Sequence, residues 1–202
     1  MRRMLLVGLL ALVVAAPAGA LTGNLDADPA NERVVVVDPP PASTLGRKVV
    51  LKDRCGTTMR TFSLSRVFDK HKYLRFEDVD GNDDRPEIIF ELRSSNGHRG
   101  TTKVVRLGHP DQGGCVRPVT LFSYNAANPP IAPPSGLKVT NWRLSFGNYS
   151  TSRPGQEMRL WEGYVRRGAS MCCPTLQRVS DYAYASGTDD FFSYRSQVSA
   201  VG

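Results

Sequence analysis

Phe76-Glu77-Asp78-Val79-Asp80-Gly81-Asn82-Asp83-Asp84-Arg85-Pro86-Glu87-Ile88-Ile89-Phe90 is an acidic, glycine-centred turn that runs straight into an apolar strand. Glu77, Asp78, Asp80, Asp83, Asp84 and Glu87 crowd this one window of a chain that is basic overall. Like charges this close repel unless a cation, or the flanking Arg75 and Arg85, offsets them. Gly81 permits the tight bend. Before the turn, Tyr73 and Arg75 alternate with Leu74 and Phe76; after it comes the apolar run 87–92. This pattern predicts a hairpin with the acidic loop at its tip.

The same period of two recurs on both sides. Residues 48–51 form a short β-branched strand, Cys55-Gly56 a turn, and 59–68 a strand that turns into a short helix. Residues 103–107 and 116–124 read as two more strands around a glycine-rich loop, and 128–134 as a polyproline-like connector. Residues 137–146, 157–165, 176–184 and 191–198 each alternate and are each bounded by Gly, Pro, Asn or Asp. Gly187 to Asp190 is the turn of a terminal hairpin. The fold class expected is mainly β, an antiparallel meander, or α+β if the one short helix forms, in a single disulfide-stabilised domain.

The N-terminus sets the compartment. Arg2 and Arg3 precede the apolar run 5–16, which ends in Pro17-Ala18-Gly19-Ala20, the pattern of a secretory signal peptide over residues 1–20 cleaved after Ala20. The run is short for a membrane span. Residues 21–46, rich in Asp and Pro, read as a flexible linker in which Val34 to Val37 offers an edge strand that Pro39 stops. The β-rich secreted domain is then 47–202.

The chain carries 26 Lys and Arg against 19 Asp and Glu. Removing the two signal arginines leaves 24 against 19, or +5. The basic residues, among them Arg47, Lys48, Arg54, Arg60, Lys70, Lys72, Arg166 and Arg167, form no run, which argues against a nucleic-acid partner in an exported chain. A solvated basic surface fits weak attraction to an anionic cell-wall polymer, the alternative partner being another extracellular protein.

Four cysteines, Cys55, Cys115, Cys172 and Cys173, are an even set, as oxidising compartments favour. A bond between neighbours closes a strained ring, so Cys172 and Cys173 are each expected to pair with one of Cys55 and Cys115, in either order. Two such long loops would contribute roughly 3 to 4 kcal/mol each. Neither Cys-x-x-Cys nor paired His is present, which sets zinc aside.

Asp78-Val79-Asp80-Gly81-Asn82 followed by Arg85-Pro86-Glu87-Ile88-Ile89 resembles the calcium-binding loops of FG-GAP and VCBS-type repeats. That resemblance implies a Ca2+ held by Asp78, Asp80 and Asn82, with Asp84 and Glu87 completing the acidic set. Asp83-Asp84 adds one residue at the bend and displaces Glu87 by one from the last acidic position. With Cys172-Cys173-Pro174 and the aromatic final hairpin, residues 73–198 are also similar to small secreted actinobacterial proteins of the LppP/LprE type. A single loop of this kind, with no further copy in the sequence, argues against a multi-bladed propeller. Without metal the same residues make an Asx-type turn.

No Gly-x-Ser-x-Gly, His-Glu-x-x-His or phosphate-cradling glycine loop is present. His109 with Asp111, beside Gly113-Gly114, is the one arrangement that would suit a secreted hydrolase. Tyr182, Tyr184, Phe192 and Tyr194 read as cross-strand core pairs, and Asn148-Tyr149-Ser150 is a formal glycosylation sequon. The function expected is therefore a secreted, non-catalytic β-rich domain, a calcium-supported binding or cell-envelope-associated module.

Overall fold

The computed structural model describes residues 20–26, 29–43, 46–67, 71–79, 85–94, 100–108, 117–149, 157–170, 172–188 and 190–201. These form an all-β protein of twelve strands in three sheets of four, each an antiparallel meander. The first sheet is β1 (Ala20–Gly23), β2 (Glu32–Val37), β3 (Arg47–Cys55) and β4 (Thr58–Val67). The second is β5 (His71–Glu77), β6 (Glu87–Arg93), β7 (Gly100–Leu107) and β8 (Pro118–Asn125). The third is β9 (Leu137–Gly147), β10 (Glu157–Arg166), β11 (Leu176–Ala185) and β12 (Asp190–Ala200).

The sheets stack face on face with the second in the middle. Ile88, Phe90, Leu92, Val105 and Leu107 pack on Leu25, Val34, Val36, Val49, Leu51 and Leu64 of the first sheet. Residues of the opposite parity, Ile89 and Val104, join Leu121 and Tyr124 against Trp142, Leu144, Met158, Leu160 and Tyr182 of the third. Both faces of β6 are covered, so Glu87 to Leu92 are all buried, the apolar Ile88, Ile89, Phe90 and Leu92 together with the carboxylates of Glu87 and Glu91. Burying each such Leu, Ile or Phe contributes about 1.5 to 3 kcal/mol. At the first junction a Cβ on Gly23 would meet the Phe76 ring at 2.9 Å, so a glycine lets β1 approach β5.

Three expectations change. Residues 20–37 are not a linker: they supply β1 and β2, and the valine run is a central strand paired on both sides. No helix follows Met59, because β4 pairs with β3 through Val67, and the described residues contain no helix. The third correction is the repeat itself, since one four-stranded unit occurs three times, with the blade topology of propellers.

Candidate metal centre

The three sheets share one latch. The second strand of each opens with a buried glutamate, Glu32, Glu87 or Glu157. In each case its Oε2 accepts a backbone N–H from the preceding loop. Leu25 N donates to Glu32 at 2.6 Å, Val79 N to Glu87 at 2.8 Å and Tyr149 N to Glu157 at 2.7 Å. The carboxylate caps a turn whose amide would otherwise be buried without an acceptor.

The partners of these glutamates differ. In the second sheet, Ile88 pairs with Val105, and the register continued by one residue sets Arg106 opposite Glu87. In the third, Glu157 pairs with Ala183 and its Oε1 accepts the Tyr194 hydroxyl at 2.7 Å. In the first, Arg33 pairs with Lys52, so the next step places Asp53 opposite Glu32. Asp26, from the β1–β2 loop, completes a triad whose carboxylate oxygens all lie within 4.8 Å of one another. All three side chains are buried, and Glu32 Oε1 accepts no hydrogen bond.

Burial pushes the Glu32 carboxyl up to about 7; the Leu25 N–H opposes the rise, and Asp26 and Asp53 add to it. One guanidinium is close by register: Arg60, opposite Asp53 on β4, lies 4.9 Å over the Phe62 ring. Calcium takes carboxylate oxygens at about 2.3 to 2.6 Å, so ligands on opposite sides of one ion stand roughly 5 Å apart. The oxygens of the triad lie within that distance of one another, close enough for one hard divalent cation to reach all three residues.

Of the loop residues expected to hold calcium, Asp78 and Glu87 are described, while Asp80, Asn82 and Asp84 lie outside the described residues. Glu87 is fully buried and spends Oε2 on Val79 N. His109, Asp111 and Cys115 also lie outside. Cys172 and Cys173 carry free, exposed thiols with their sulfurs 2.9 Å apart. The expected framework, in which each pairs with Cys55 or Cys115, is therefore not formed. Both sit in the short β10–β11 connection and reach each other before any distant strand. The hydrogen bonds from Cys173 and then Ser170 lower the Cys172 pKa, and Cys173 is raised in return.

The expected cross-strand pairing of Tyr182 and Tyr184 with Phe192 and Tyr194 is not formed: Tyr184 stands opposite Phe191, Tyr182 opposite Ser193 with its ring edge-on to Phe122 of the second sheet at 5.2 Å, and Phe192 opposite Ala183, where it is exposed. Between the second and third sheets, Arg178 donates to Glu162 at 2.7 Å and to the carbonyls of Ile131 and Ala132. Glu162 also accepts the Tyr124 hydroxyl at 3.0 Å. This satisfied network ties the proline-rich connector to the third sheet.

Sequence reading missed Asp26, Glu32 and Asp53, although a signal exists. Asn24-Leu25-Asp26, Asp78-Val79-Asp80 and Asn148-Tyr149-Ser150 share one pattern, and the latching glutamate follows the central residue by seven, eight and eight positions. The repeat is carried by topology and one glutamate, too little for simple self-similarity to reveal. Compared with known proteins, the chain matches no protein-family model, no curated protein and no solved structure.

Proposed function

We propose that the chain is a secreted, non-catalytic β-rich module whose first sheet is braced by a calcium ion bound between Asp26, Glu32 and Asp53. Export rests on Arg2 and Arg3, the apolar run and Ala18-Gly19-Ala20. The observation that carries the metal is the contrast between equivalent glutamates: Glu157 accepts a tyrosine hydroxyl and Glu87 stands across from an arginine, whereas Glu32 meets two more buried carboxylates. Burying like charges together is strongly unfavourable unless they are protonated or coordinate a cation. Extracellular modules bind calcium with dissociation constants on the order of 10⁻⁴ to 10⁻³ M, so a modest site would be occupied outside the cell. The ion would join β1, β2 and β3 at the end where the loop meets the sheet.

Calorimetric titration of the chain from Ala20 onward with calcium at pH 7.5 tests this reading. One site per chain, abolished by Asp53→Asn, is expected. A flat titration, or an unchanged one in the variant, would refute it.

A further inference from the structure

The first sheet is polarised across its thickness, with its carboxylates on the face toward the second sheet and cations on the other. Val34, Val36, Val49 and Leu51 point inward, so the residues between them point outward. Register then lays out three outer rows: Arg33, Lys52 and Thr61; Val35, Val50 and Ser63; Val37, Lys48 and Arg66. Arg54, opposite Met59, extends the face. Arg33, Lys48, Lys52, Arg54 and Arg66 thus share one surface, on which β2, β3 and β4 place no acid. All except Arg33 are exposed, and none of the five makes an ion pair among the described residues. Just beyond the end of β2, Asp38 is held by Arg47 at 2.5 Å.

The central row explains how such a face remains ordered. Val35 and Val50 are 7% and 5% exposed although no sheet covers them. Lys and Arg side chains flanking such a row can lay their aliphatic stems along apolar surface while the charged ends stay in solvent. Adjacent strands are about 4.8 Å apart and same-face residues about 6.8 Å apart along a strand, so the charges form a lattice. At one end lies a cavity of about 550 Å³ lined by Val37, Asp38, Pro40, Lys48, Ser63 and Arg66, where the Asp38 carboxylate is paired with Arg47.

From this arrangement we infer that the outer face of the first sheet binds an anionic glycan, its carboxylate or phosphate groups meeting Arg33, Lys48, Lys52, Arg54 and Arg66, with Lys48 and Arg66 at the cavity taking one group more deeply. Charge complementarity selects a polyanion, because the outward positions of β2, β3 and β4 carry five cations and no acid, and the one acid at the cavity, Asp38, is offset by Arg47. The face also lacks the aromatic side chains on which single-stranded nucleic acid stacks, which favours the glycan. The inference does not depend on the calcium site, whose residues lie on the opposite face.

Binding of the intact chain to immobilised polygalacturonate and to poly(glycerol phosphate) tests it at rising salt, with single-stranded DNA as a third ligand. Lys48→Glu/Lys52→Glu/Arg54→Glu is compared with Arg143→Glu/Arg166→Glu/Arg167→Glu, which makes the same charge change on exposed positions of the third sheet. At least one glycan is expected to bind, more weakly as salt rises, and the first variant is expected to lose tenfold or more in affinity while the second keeps it within twofold. Retention by polygalacturonate alone assigns carboxylates, and by poly(glycerol phosphate) alone phosphates. Equal losses in the two variants, or no glycan binding, would overturn the inference, as would tighter binding of DNA. Melting each variant confirms that it is folded, and titrating it with calcium reads the metal site separately.

Discussion

Glu32 faces Asp53 across β2 and β3, two buried carboxylates where the second sheet has Glu87 across from Arg106. The substitution of an acid for an arginine at one equivalent position turns a shared structural latch into a candidate cation site. The backbone bond to the latching glutamate is the same in both sheets.

The first consequence is a pH dependence with a definite sign. Without calcium, the Glu32 carboxyl has an ordinary value of 4.5 in the unfolded chain and about 7 in the folded one. A raised folded value means that the stabilisation is complete below the unfolded value and is lost as pH rises through the folded one. In chelator, denaturation midpoints are expected to fall between pH 4.5 and about 7 by the equivalent of up to roughly 3 kcal/mol. Glu32→Gln is expected to flatten the curve, and an equally steep fall in that variant would contradict the assignment.

Arg178 and Glu162 form a buried pair at 2.7 Å. Removing one partner strands the other charge, so Arg178→Ala is expected to cost about 3 to 5 kcal/mol in urea unfolding. The double change Arg178→Met/Glu162→Leu should recover much of that loss. A mild effect of Arg178→Ala, below about 1 kcal/mol, would mean that the network bears little of the packing between the second and third sheets.

The thiols give a chemical test. Mass mapping of a non-reduced digest is expected to find Cys172 and Cys173 as thiols and Cys55 linked to Cys115, the one cysteine left to it. Cys172, whose thiolate is stabilised by the hydrogen bonds from Cys173 and Ser170, should alkylate first. Crosslinks from Cys172 or Cys173 to Cys55 would restore the framework expected from sequence.

Gly100 holds a φ of +144° where β6 passes into β7. A Cβ there would stand 2.1 Å from the Leu92 carbonyl oxygen and 2.9 Å from the Trp142 ring. Gly100→Ala is expected to lower the melting midpoint by several degrees through strain and overpacking. An unchanged midpoint would show that this junction has room to relax.

Strands β9 to β12 were legible from sequence alternation and the turn residues that bound them, and their predicted spans differ from the observed ones by only a few residues, although β10 is buried at most positions and β12 exposed at most. Where tertiary context outweighs local pattern, reading failed. Asp26, Asp28 and Pro29 suggest an unstructured segment, yet β2 is held by pairing with β1 and β3 and by burial against the second sheet. Phe62, Leu64 and Val67 suggested a helix, but Phe62 and Leu64 are two residues apart and so share the inner face of β4 as a strand. The triad was not legible because Asp53 is more than twenty residues from Asp26 and Glu32, and only strand pairing brings them together.

The most direct test of the account is the melting midpoint of the chain from Ala20 onward at pH 7.5, in millimolar calcium and in chelator, for wild type, Asp53→Asn and Asp78→Ala. Calcium at about 1 to 10 times its dissociation constant would add about 0.4 to 1.4 kcal/mol, a rise of a few degrees. The account predicts that rise in wild type and Asp78→Ala and its loss in Asp53→Asn. No rise in wild type, or a rise abolished by Asp78→Ala and kept by Asp53→Asn, would contradict it.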